Sequence, residues 1–301
     1  MESYAIVTKN LVKRYRAKQR PVLQGLNLEL HENQIIGLIG ANGSGKTTFF
    51  KLCSGALDIT EGTIEILGGD GVGDIRIKEE VIYSMHALPL EGYPVNVVLK
   101  CYHISYPHFD LEFARKLLDI FKIPEKKKIS ALSQGMKSIV HFVCALATRA
   151  KVTMLDEPFI GIDIEKRKLA YEVLLRDYME YPRTFIISSH NLSELEGVLS
   201  EMILIDQGQV VFYEEMDAVR ELLFRADGDS ESISAFSDRP EVLHQSRGEL
   251  SSFLIGRGSV DSSLAREAEA SGLTVSRVQP EDVCVYLTSN RAGGDLECLW
   301  K

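Results

Sequence analysis

Gly40-Ala41-Asn42-Gly43-Ser44-Gly45-Lys46-Thr47-Thr48 is the stretch on which the fold turns. It fits G-x-x-x-x-G-K-[ST], and it lies between Gln34–Ile39, a strand-like run, and Lys46–Ser54, a helix-like one. Glycines 40, 43 and 45 let the backbone curl so that successive N–H groups face one anion. The helix that follows offers its positive end to phosphate. Lys46 supplies a point charge for the β- and γ-phosphates, and the Thr47 hydroxyl is an oxygen suited to Mg2+. Residues 40–48, with Asn42, Ser44 and Thr48 among them, form a candidate site for a nucleoside triphosphate.

Working outward, Val152-Thr153-Met154-Leu155 runs straight into Asp156 and Glu157. Ligands of open α/β sheets bind beyond the carboxyl ends of the strands. Asp156 is there to hold Mg2+, and Glu157 to orient or deprotonate an attacking water. Thr184–Ile187 is another continuous apolar run, and Gly62–Leu67 and Val81–Tyr83 read as further strands. Asp110–Lys122 carries Leu111, Ala114, Leu117, Leu118 and Phe121 at helical spacing. Strands alternating with helices predict an α/β domain with a mostly parallel sheet. After Tyr213 the character changes, and Ala226–Ser232 reads as a polar linker. Beyond it, strands are expected at 251–256 and 273–278 with a helix at 262–271, a small α/β appendage without a chemical motif.

The 301 residues are 45% hydrophobic and 26% charged, enough to build a sizeable core. A net charge of −9 disfavours a nucleic-acid binder that works by neutralising phosphates. Cysteines 53, 101, 144, 284 and 298 share no metal-binding spacing, and the first three sit among apolar residues as core fillers. The N-terminus lacks a signal-peptide pattern, and no apolar run approaches the ~20 residues of a membrane span. A cytoplasmic protein without direct membrane insertion is expected.

Ala131-Leu132-Ser133-Gln134-Gly135-Met136 resembles the LSGGQ signature of ATP-binding cassette (ABC) transporter ATPases. Ile187-Ser188-Ser189-His190 resembles that family's switch histidine, Gly161-Ile162-Asp163 its D-loop, and Tyr15 stands where it stacks an aromatic on adenine. The resemblance spans residues 5 to about 213. It implies a P-loop NTPase core with an N-terminal antiparallel β-subdomain and a helical subdomain near 87–145, all within 1–225, followed by an accessory domain at 226–301. It also implies a motor that binds and hydrolyses ATP with Mg2+, held by Thr47 and Asp156. Glu157 would act on the attacking water, His190 on the γ-phosphate or that water, and Lys46 on the β- and γ-phosphates. Ser133, Gly135 and Asp163 would meet the nucleotide of a second ATPase subunit, in a homodimer or heterodimer. The implied partner is a separate transmembrane permease, which would hold the protein on the inner face of the cell membrane. The finer resemblance is to bacterial exporter-type ATPases, whose chains end in a segment similar to Gln279–Thr288.

Gln134 and Met136 depart from the signature, and Ile160 from the D-loop. A further departure lies in Tyr83-Ser84-Met85-His86, where the family has a Gly-Tyr-Leu-Pro-Gln segment and His86 falls on the glutamine. Nitrogen matches hard Mg2+ poorly, which favours a mechanical role. A histidine near the nucleotide would instead make hydrolysis pH-sensitive. The contrasting function, a soluble ABC-type ATPase on a macromolecular target, is disfavoured because Leu132 lies only 86 residues after Lys46, leaving no room for a coiled coil.

Overall fold

The computed structural model describes residues 3–16, 19–70, 74–84, 91–190, 192–193, 195–247 and 252–289. His86 and Cys298 lie outside the described residues. The chain divides into two compact units, Met1–His190 with Gly197–Tyr213, and Asn191–Glu196 with Glu214–Lys301.

In the first unit, β1 (Tyr4–Lys13) and β2 (Leu23–His31) pair antiparallel. Leu26, Leu28 and Leu30 are buried while Asn27 and Glu29 face out, the period-2 pattern of a sheet with one covered face. β3 (Ile35–Ile39) is buried throughout and feeds the glycine-rich loop and α1 (Lys46–Cys53). β4 (Glu61–Ile66) and β5 (Gly69–Asp70) complete an antiparallel sheet of order β2-β1-β4-β5. Then come α2 (Ile75–Glu79) and β6 (Val81–Ser84). The helices α3 (Val95–Ser105), α4 (Leu111–Ile120) and α5 (Gln134–Ala147) stand between β6 and β7 (Val152–Asp156), as the helical subdomain was expected to. The helix α6 (Ile164–Glu180), β8 (Thr184–Ser189), β9 (Glu201–Asp206) and β10 (Gln209–Glu215) close the unit.

The second sheet runs β10-β9-β3-β8-β7-β6, with parallel pairing among β9, β3, β8, β7 and β6. β7 and β8 are buried at every position, which explains why their sequences are continuous rather than alternating. Phe49 and Phe50 of α1 are fully buried in a core that joins Leu26 and Leu28 to Met154, Ile186 and Ile203. Each phenylalanine contributes about 1.5–3 kcal/mol by burial. α1, which begins with Lys46 and Thr47, is therefore anchored by its own aromatic residues.

The second unit contains α7 (Met216–Val219), β11 (Leu223–Gly228), α8 (Ser230–Ser234), β12 (Val242–Arg247), β13 (Ser252–Arg257), α9 (Ser263–Ala270), β14 (Thr274–Arg277) and α10 (Pro280–Ser289). Its antiparallel sheet has the order β12-β13-β11-β14. The succession from β11 to β14 is a split β-α-β motif. Phe224, Ala226 and Leu254 pack with Ile233, Phe236, Leu264 and Ala268 as its core. Residues 226–232 are not a linker. Ala226 pairs with Leu254 and Gly228 with Ser252. Asp229 accepts hydrogen bonds from the Glu231 and Ser232 amides at 3.0 and 2.9 Å, capping α8. Asp, Ser and Gly mark loops and helix starts alike, so composition alone cannot separate the two. A boundary at 225/226 would cut β11, and the two units divide after Tyr213 instead.

Candidate nucleotide site

The glycine-rich loop is shaped partly as the sequence implies. Gly43 and Gly45 have φ of 82° and 116°, in the region that favours glycine. Gly40 is required for another reason, since a Cβ there would lie 2.2 Å from the Ile205 carbonyl oxygen. Gly208, in the turn between β9 and β10, donates its N–H to the Ser44 carbonyl at 2.9 Å and so supports the loop from behind. The Lys46 ammonium donates to the Gly40 and Ala41 carbonyls at 2.6 and 3.1 Å. Burial holds its pKa below the usual lysine value, and the charges of Glu157 and Asp156 oppose that fall. The half-exposed Tyr15 ring stands beside the start of α1, its hydroxyl 3.2 Å from Thr48 Oγ1.

Asp156 is the hub. Its Oδ1 accepts from Ser188 Oγ at 2.6 Å, and its Oδ2 accepts from Thr47 Oγ1 at 2.8 Å and Tyr83 Oη at 3.0 Å. Ser188 Oγ in turn accepts the Glu157 N–H at 2.9 Å. Glu157 adopts φ 48°, a left-handed conformation that costs a non-glycine residue about 1–2 kcal/mol. The strain serves geometry. It separates the two acids, and Glu157 Oε1 lies 2.9 Å from His190 Nδ1. With Glu157 ionised, the proton of this contact lies on Nδ1, which donates to Oε1. Sequence reasoning assigned no role to Ser188, although it lies within the quoted Ile187–His190 run, nor to the hydroxyl of Tyr83.

Ser133 caps α5, its Oγ accepting from the Met136 amide at 3.3 Å. Asp163 caps α6 by accepting the Lys166 amide at 2.9 Å. That bond, with the nearby Lys166 charge, holds the Asp163 carboxyl below the usual range. Between the two caps the backbones meet. Ser138 Oγ donates to the Ile160 carbonyl at 2.9 Å, and a Cβ on Gly135 would lie 2.2 Å from the Gly161 oxygen. Gly135→Ala must therefore push two backbones apart, at about 1–3 kcal/mol for overpacking. For a unit of this size that is a drop in melting temperature of about 2–4 °C per kcal/mol. ATPase activity should fall with it, because Ser133 sits two residues from the clash. An unchanged melting curve would mean that the 160–162 backbone yields without cost.

Among the described residues, no group of His, Cys, Asp and Glu forms an all-protein metal cluster, and no helix is long and apolar enough to cross a membrane. Cys53 and Cys144 are buried and free, with burial raising both thiol pKa values, as suits core fillers.

Loop, hub and strained acid at the carboxyl ends of parallel strands define a P-loop nucleoside triphosphatase. Residues 23–160 match the family model described as ABC transporter. The chain is 29% identical over 201 residues to the ABC transporter ATP-binding protein YtrB of Bacillus subtilis, covering 66% of this chain and 69% of that one. A solved ATP-binding subunit of an ABC transporter superposes with a TM-score of 0.64 at 24% identity, covering 72% of this chain and 92% of that one. CbiO1 of Clostridium perfringens, part of the ABC transporter complex cbiONQ, does so with 0.60 at 21%, covering 79% and 96%. These two likenesses establish the fold. The chain thus carries, over residues 23–160, an ABC transporter ATPase domain like that of the ATP-binding subunits to which it is similar. It is an ATP-binding, ATP-hydrolysing motor subunit.

Proposed function

We propose that Glu157 is the base of hydrolysis and that His190 positions it. The observation that carries this reading is the 2.9 Å contact between the two side chains, with Glu157 held beside the Asp156 hub by Ser188. Glu157 takes a proton from water as the water attacks the γ-phosphorus, and ADP leaves with the bridging oxygen. Lys46 and the amides of residues 40–48 stabilise the charge on the phosphate oxygens, while Tyr15 stacks on the base. Thr47 and Asp156 present hard oxygens to one point, which fits Mg2+. The bound ion would neutralise phosphate charge there.

Ser133, Gly135 and Asp163 serve the nucleotide of a second ATPase subunit, identical or related. The supporting observation is that Ser133 opens a helix whose positive end suits an anion, while the chain's own phosphate loop is elsewhere. The motor drives a separate transmembrane subunit, through which the protein sits on the inner face of the membrane. CbiO1, with the same fold, is part of the ABC transporter complex cbiONQ. Gentle detergent extraction of membranes and pull-down of the tagged chain should recover one multi-span membrane protein in fixed proportion. Recovery of ribosomes or DNA in its place would overturn the transporter assignment.

A further inference from the structure

Tyr83 reaches the hub from β6, a strand separate from those that carry the phosphate loop and the paired acids. β6 and β7 are parallel, and Tyr83 is opposite Met154, two residues before Asp156. Two residues of strand rise about 6.6 Å, a span that suits the length of a tyrosine. Its hydroxyl meets Asp156 Oδ2 at 3.0 Å. Its ring packs against Phe50 with centroids 5.8 Å apart. Phe50 lies three residues after Thr47 on α1, so the two share a helix face. Tyr83 therefore touches both elements that carry the proposed cation-binding oxygens, one by its hydroxyl and one by its ring.

We propose that Tyr83 is a positioning residue for the cation-binding carboxylate, an inference that rests on Asp156 and Thr47 having the role proposed above. Oδ1 is pinned by the buried Ser188 whatever happens at Oδ2. Oδ2 has two donors, Thr47 and Tyr83. A hydroxyl oxygen that gives a lone pair to the cation keeps its hydrogen, so Thr47 can still donate to Oδ2, but its orientation is then set by the ion as well. Tyr83 is the other side-chain hydroxyl on Oδ2, and it holds the carboxylate independently of the ion. A carboxylate has about four acceptor positions, so it can keep Ser188 and Tyr83 and still face a hydrated ion. Without Tyr83 the carboxylate keeps Ser188 and Thr47, but Oδ2 then depends on a donor that the ion also orients. A neutral hydroxyl cancels little of the carboxylate charge, so the loss of orientation outweighs the gain in bare negative charge.

Tyr83→Phe keeps the ring against Phe50 and removes only the hydroxyl. Groups that orient a metal-binding side chain typically matter 10–100-fold in metal affinity. With the contact to a hydrated ion indirect, the lower figure, about 10-fold, is expected. Mn2+ titrated by electron paramagnetic resonance, with a non-hydrolysable ATP analogue present, should show that weakening. The Mg2+ concentration for half-maximal hydrolysis should rise in parallel, while metal-free binding of the analogue stays as in the unmodified protein. An unchanged Mn2+ affinity overturns the proposal, and so does an equal loss of metal-free binding, which would mark Tyr83 as a packing residue only. Asp156→Asn, measured alongside, separates the two levels. If it too leaves Mn2+ affinity unchanged, the assignment of Asp156 is what falls, and Tyr83 falls with it.

Discussion

Glu157→Gln is expected to lower the ATPase turnover about 100- to 10,000-fold, the usual worth of a positioned general base. Glutamine has the shape of glutamate but accepts no proton at neutral pH. The backbone has no reason to move, because φ 48° is equally unfavourable for both residues and the amide keeps its bond to Ser188. His190 Nδ1 can still donate to the glutamine oxygen, so the ring stays where it is. The phosphate loop and the carbonyls that hold Lys46 are untouched. ATP affinity should therefore stay within a factor of about 3, less than 1 kcal/mol. An enzyme that binds ATP without consuming it should also elute as a dimer on gel filtration with ATP. Turnover close to that of the unmodified protein would remove Glu157 from the mechanism and leave His190 as the group to test next.

The parts of this site that could be read from sequence are those whose chemistry is contiguous. Lys46 and Thr47 follow their glycines directly, and Asp156 and Glu157 end a run of four strand residues, so spacing alone places them. The parts that could not be read depend on register. The Tyr83–Asp156 bond spans 73 residues and exists because β6 lies beside β7 with Tyr83 facing Met154. Ser188 looks like one more strand residue until β8 places it opposite Asp156. The polar run at 226–232 misled for a different reason. Its hydrophobic partners, Leu254 in β13 and Phe236 after α8, lie outside the run itself. Asp177 is the least legible. It stands amid Arg176, Tyr178 and Glu180 on a charged helix, where a solvated face is the ordinary expectation.

Asp177 is nevertheless buried, and Asp177→Ala should be among the most destabilising single changes outside the nucleotide site. Its Oδ2 accepts from Arg183 Nη2 at 2.6 Å, and its Oδ1 accepts from Arg149 Nη1. Arg183 is only 5% exposed, and burial pulls its pKa below the usual arginine value against the opposing charge of Asp177. Both cations are otherwise occupied. Arg149 lies over the rings of Phe113 and Tyr181, at 4.3 and 4.0 Å from their centroids, and Arg183 donates to the Leu146 and Tyr181 carbonyls. Neither can move to water without breaking those contacts. Removing the acid leaves one buried and one partly buried guanidinium group, with Asp110, 3.7 Å from Arg149, as the nearby carboxylate. Removing one member of a buried pair costs about 3–5 kcal/mol. A recess of about 490 Å3 has Arg149 and Asp177 in its wall, so water can reach the orphaned charge, and the lower figure applies. At about 2–4 °C per kcal/mol, the melting temperature of the first unit should fall by about 6–12 °C. Asp177→Asn, which keeps an acceptor without the charge, should fall between. The loss matters for function because the network ties the end of α5, which Ser133 opens, to α6, which Asp163 opens. Hydrolysis should therefore be lost at a correspondingly lower temperature than in the unmodified protein. A shift below about 2 °C in a melt followed by calorimetry would show that water, and not Asp177, is what balances these arginines.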